Sequence, residues 1–159
     1  MFGKPIGKSA AAILQERYHG RIEPKIGYVV MVFGVKIEGR GLVSSSGGTV
    51  HRVEFDALVF LPKLHEVVMG EIIEMADFGA FVRIGPTDAV LHLSQISGKH
   101  VKVDAKAGII SIVDQPEPLR IGTRLRSRIS AVSVNKDSSM KVGLTCNEPD
   151  LGPDGSLGR

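Results

Sequence analysis

The sequence predicts a mainly β, α+β protein with one clear helix. Residues alternate at a period of two, with many β-branched side chains, through most of the chain, and segments with apolar residues three to four apart are few. A hydrophobic content of 43% is sufficient for a core, and 159 residues make one domain or two small ones.

In chain order, Ser9 is placed to cap a helix of roughly ten residues whose apolar positions are Ala10, Ile13, Leu14 and Tyr18, with Gly20 beyond its last turn. Ile26 to Ile37 is so uniformly apolar that it reads as a strand covered on both faces, which Gly39 and Gly41 then bend or end. Ser44 to Gly48 is a loop tip. Val50 to Leu61 returns as a strand closed by Pro62. Residues 1–63 therefore read as a small helix-on-sheet unit, with too little polar surface on its central strand to be covered by its own helix alone.

Residues 64–147 form a second unit. Ala80, Val82 and Ile84 share one face of a strand and point inward, leaving Phe81 and Arg83 outside. Leu91 and Leu93 point inward with His92 outside between them. Burial does not explain an outward Phe beside an Arg and a His, whereas holding unpaired nucleic-acid bases does. His100 to Asp104 and Ile109 to Val113 read as a hairpin turning at Gly108, and Gln115 to Pro118 breaks the chain. Beyond it Arg124, Arg126 and Arg128 share one face opposite Leu125 and Ile129, forming a phosphate track or a surface for a protein partner. After the loop Asn135 to Ser139, Val142, Leu144 and Cys146 point inward, with Lys141 and Thr145 outside. Residues 148–159 read as a disordered tail.

Net charge is +3, spread as +4 over residues 1–63, +1 over 64–147 and −2 over 148–159. With the second unit nearly neutral, nucleic-acid binding there has to rest on stacking plus a local basic stripe. Cys146 alone makes no internal disulfide and no thiolate zinc cluster, and the five histidines lack ligand spacing, so no metal or cofactor is expected. No apolar run approaches the ~20 residues of a membrane helix and no export signal is visible, so a soluble, cytoplasmic protein is expected. No catalytic motif is present. Asp77 and Asp88 read as turn residues, and the chain is expected to be non-catalytic.

Asp77-Phe78-Gly79-Ala80-Phe81-Val82, then Gly85-Pro86, then Val90-Leu91-His92-Leu93-Ser94, resembles the RNA-binding S1 domain, a five-stranded barrel of the oligonucleotide-binding class. Ala89 stands where that family usually has glycine. The resemblance implies that Phe78, Phe81 and His92 stack on RNA bases while Arg83 and Lys141 contact phosphate. The family's Asp-x-x-x-Arg near the last turn is replaced here by a longer loop ending at Lys141.

Arg17 to Val43, followed by Val50 to Ile72 running directly into the barrel, resembles the archaeal E-prime family of DNA-directed RNA polymerase stalk proteins over roughly residues 2–152. The eukaryotic counterpart of that family is the seventh polymerase subunit. The resemblance implies a tip domain over residues 1–63 that docks on the polymerase core, and a barrel over 64–147 facing nascent single-stranded RNA. It also implies pairing with a second small, helical stalk protein of the polymerase F type. The alternative is a free-standing S1 module of the RNA exosome or the translation machinery. The family normally carries a further segment, including a strand, before Phe2-Gly3. Its absence is expected to reflect a late start or a truncation, and to leave unpaired backbone groups on a sheet edge.

Overall fold

A computed structural model describes residues 6–135 and 139–153, which divide into two compact units at Leu61/Pro62. In the first unit, helix α1 (Ile6–Tyr18) is followed by strands β1 (Ile22–Glu23), β2 (Gly27–Val43) and β3 (Thr49–Phe60), an antiparallel sheet in the order β1-β2-β3. The helix begins a turn earlier than the expected cap, and Ser9 lies inside it, since serine costs little within a helix and the following alanines favour one. The face α1 turns inward carries Ala11, Leu14, Gln15 and Tyr18, while Ile13, expected on that face, is 62% exposed.

Gln15 of α1 and His19, the residue just after it, meet the open edge of β2. Gln15 Oε1 accepts the Val32 N–H at 2.8 Å and the His19 ring donates to the Val30 carbonyl at 2.6 Å. Backbone groups that an adjacent strand would otherwise satisfy are thus partly met from the helix. Tyr18 packs on Phe55 of β3, centroids 5.4 Å apart.

β2 runs past Gly39 and Gly41 to Val43, and the glycines fall at a register irregularity between Glu38 and Leu42, not at a strand end. Nor is it covered on both faces among the described residues. Val29 is buried, but Met31, Phe33 and Leu58, the last paired to Met31 across the ribbon, are all exposed.

The second unit contains β4 (Val67–Ala76), β5 (Gly79–Arg83), β6 (Asp88–His92), α2 (Leu93–Ile96), β7 (Val101–Asp104), β8 (Ile109–Ile112), β9 (Leu119–Arg120), β10 (Arg124–Val134), β11 (Met140–Thr145) and β12 (Gly152–Pro153). The order β11-β6-β5-β4-β10 closes on itself through the β10–β11 pairing, giving a five-stranded barrel in which β6 and β11 run parallel. Ile72, Val82, Leu91, Leu125, Ile129 and Leu144 fill it and are essentially inaccessible. Each comes from the inward-facing set of an alternating strand.

The hairpin β7–β8 turns through Gly108 at φ +63°, and β9 adds to it as a third strand that alternation over two residues could not reveal. Leu93 does not continue β6: the chain turns into α2 there and Ile96 takes the buried position. Thr145, expected outside, is buried. It pairs with Arg128, and the next residue donates its N–H to the carbonyl of Gln95 in α2 at 2.7 Å. Of the expected tail, residues 148–153 are placed, with Glu148 bonded to Arg128 and Gly152–Pro153 pairing with β10, and 154–159 lie outside the described residues. Within the loop at 135–139, residues 136–138 lie outside them too.

Candidate nucleic-acid interface

The outward face of the barrel is set by register. Gly79 lies opposite His92, Phe81 opposite Val90, and Arg83 opposite Asp88, so aromatic groups gather at one end of the β5–β6 ladder and charges at the other. The turn between β4 and β5 brings Phe78 over the same end, where its ring meets Phe81 edge to face with centroids 5.8 Å apart and planes at 84°. Phe78 remains 45% exposed. Gly79 makes this possible. At φ +152° it occupies backbone space that side chains rarely adopt, and a Cβ there would run into the Leu91 carbonyl.

His92 has a second role. Its backbone is extended, and its Nδ1 accepts the Ser94 N–H at 3.3 Å with the Ser94 hydroxyl at 3.0 Å, so the ring caps α2. These bonds hold the imidazole while its side chain stays exposed beside the aromatic pair.

Arg83 is not an unpaired cation. Its Nε donates to Asp88 Oδ1 at 2.9 Å and its Nη2 to Asp88 Oδ2 at 3.3 Å, a two-point bond between side chains 57% and 40% exposed. The bond and charge of Asp88 raise the Arg83 pKa above its ordinary value, with a smaller contribution from Glu71 on the other side. Asp88 is thus more than the turn residue it resembles. Its position opposite Arg83 across Gly85-Pro86 was legible from a five-residue separation around a tight turn.

The three arginines of β10 lie on the far side of β4 from the aromatic cluster. Arg124 pairs with Glu71, Arg126 with Met69 and Arg128 with Val67. Charge therefore alternates across neighbouring strands as Asp88, Arg83, Glu71, Arg124. A shallow depression of about 400 Å³ opens between Arg83 and Arg124 over Glu71 and Gly70. Arg126 and Arg128 are half-buried, and Arg128 is bonded to Glu148 at 3.1 Å, so of the three only Arg124 is exposed. Lys141 is exposed on β11, two residues before the Gly143 that pairs with Val90.

The barrel cysteine, Cys146, is buried, and burial pushes its thiol up to about 12. Among the described residues no group of three His, Cys, Asp or Glu side chains could hold a metal ion, and no helix is long and apolar enough to cross a membrane.

Residues 61–142 match the S1 RNA binding domain family. Over 152 residues, 95% of the chain and 83% of the relative, the sequence is 32% identical to DNA-directed RNA polymerase subunit Rpo7 of Sulfolobus acidocaldarius. It is 34% identical to the same subunit of Saccharolobus solfataricus over 95% of the chain and 85% of that protein. A polyribonucleotide nucleotidyltransferase of Corynebacterium kroppenstedtii is 32% identical over 64% of the chain, which corresponds to only 14% of that protein. The similarity to subunit Rpo7 thus takes in the first unit as well as the barrel, and the chain belongs to the Rpo7 family of DNA-directed RNA polymerase subunits, with an S1 RNA binding domain.

Proposed function

We propose that the chain is a non-catalytic stalk subunit of a DNA-directed RNA polymerase whose barrel holds nascent single-stranded RNA. One observation carries the RNA-binding part: exposed Phe78 and half-buried Phe81 form an edge-to-face pair, with His92 held by its cap beside them. Flat rings presented to solvent on adjacent strands are the surface on which unpaired bases stack, at roughly 1 to 3 kcal/mol per base and with little dependence on base identity. Lys141 and Arg124, both exposed, supply phosphate contacts at the margins. Arg126 and Arg128 are better suited to a protein surface, being half-buried beside Met69 and Val67.

Residues 1–63 act as the tip domain in this reading. The exposed Met31, Phe33 and Leu58 suit an apolar face of a second small stalk protein, and Leu42, Val43 and Val50 at the end of the β2–β3 ribbon suit docking on the polymerase core. The protein then works in the cytoplasm within the transcription complex, retaining transcript and steadying the enzyme.

A tagged pulldown from the native source at moderate salt, with co-purifying proteins identified by mass spectrometry, tests this. Recovery of the large polymerase subunits with one small helical partner is the expected result. Recovery of a ribonuclease assembly or ribosomal proteins in their place overturns it.

A further inference from the structure

We propose that Arg83, braced by Asp88, reads the Hoogsteen edge of a guanine in the nucleotide next to the one stacked on Phe81. The inference rests on the RNA-binding role proposed above and adds a base preference to it.

Asp88 occupies the Nε and one Nη2 hydrogen of the guanidinium, which fixes the plane of the group and leaves Nη1 and the second Nη2 hydrogen pointing away. Two parallel donors on a fixed plane match two adjacent acceptors, O6 and N7 of guanine. On that edge adenine offers an acceptor beside a donor, cytosine a donor, and uracil a single O4, so none of them satisfies both hydrogens there, and the competing pair of adjacent acceptors is O2 and N3 on the Watson–Crick edge of cytosine. Bases of a single strand are accessible on this edge.

A phosphodiester also offers two oxygens, and charge decides between the two. Arg83 stands between Asp88 on β6 and Glu71 on β4, both directly opposite it in register, and with Arg124 opposite Glu71 the row carries no net charge, so it gives a phosphate no surplus attraction while two carboxylates flank the Arg83 donors. An incoming phosphate meets two carboxylates at cross-strand distance, about 5 Å between backbones. A neutral base edge does not. Placement agrees: Arg83 follows Phe81 by two residues on the same face, about 7 Å along the strand, so its base belongs to a neighbouring nucleotide. The depression over Glu71 and Gly70 leaves room for that base.

Fluorescence anisotropy with the full chain at fixed salt tests this, using labelled octauridylate and the same oligomer carrying a single guanosine, adenosine or 7-deazaguanosine. The guanosine oligomer is expected to bind about tenfold more tightly than octauridylate, since a bidentate pair discriminates by roughly 1 to 3 kcal/mol. The adenosine and 7-deazaguanosine oligomers, the latter lacking N7, are expected to lose most of that gain. Asp88→Asn should tighten octauridylate binding while reducing the guanosine preference to less than threefold. Phe81→Ala should weaken all oligomers and leave the ratio unchanged. If wild-type protein binds all four alike while Phe81→Ala still weakens them, the guanine reading falls and the stacking role stands. If none binds, both fall.

Discussion

Phe78 meets the Phe81 ring edge-on at 5.8 Å, and the residue following Phe78, Gly79, lies directly opposite His92. Three flat groups are therefore brought to one end of two strands. Phe81→Ala is expected to weaken single-stranded RNA binding five- to tenfold, the loss of about one stacked base, with an unchanged circular dichroism spectrum. His92→Asn separates the two roles of His92. Its amide oxygen can still accept the Ser94 N–H, so thermal stability is expected to stay within about 0.5 kcal/mol of wild type, whereas RNA affinity falls because the flat imidazole ring is lost.

Gly79→Ala is expected to cost at least ~2 kcal/mol, because a side chain at this φ is strained and its Cβ also meets the Leu91 carbonyl. Urea titration reads this as a lower midpoint with an unchanged slope. A wild-type midpoint would show that the β5–β6 ladder spreads without loss.

Burial raises the Cys146 thiol from 9.0 to about 12, so the folded state favours the protonated form. Between those values the unfolded chain has released a proton that the folded chain retains, so this contribution to stability is complete below pH 9.0 and is lost as pH rises towards about 12. The same burial predicts slow reaction with a thiol reagent at pH 8 in the native protein and rapid reaction in urea.

Met31→Asp and Leu58→Asp place charge on paired, exposed positions of the ribbon and are expected to leave folding within about 0.5 kcal/mol of wild type, as surface substitutions usually do. Co-purification of a second stalk protein is expected to fall at least tenfold, while RNA affinity of the isolated chain is unchanged. Normal co-purification would remove this face from the partner interface.

The barrel was the more legible unit because its strands have one face in a core and one in water. Val82 and Leu91 inward with Phe81 and His92 outward follow from a period of two, and the structure agrees. Alternation gave less at Leu93 and Thr145, where the chain leaves the sheet and nearby loops alter what is covered. The ribbon was harder for a different reason. A uniformly apolar run reads as a strand buried on both sides, but the sequence does not distinguish cover supplied by the chain from cover supplied by something else, and Met31 and Phe33 are exposed here.

By itself the sequence determined the mainly β class, the inward set of the barrel, and the outward placement of Phe81, Arg83 and His92. These follow from local periodicity and turn residues, which need no distant partner. Only the tertiary structure decided which side chains meet across strands. It closed β10 on β11, tied Arg128 to Glu148, placed β4 between the aromatic cluster and the arginines, and set Arg83 between Asp88 and Glu71. Such contacts depend on register between strands, which is fixed jointly by turn length, bulges and the packing of a shared core.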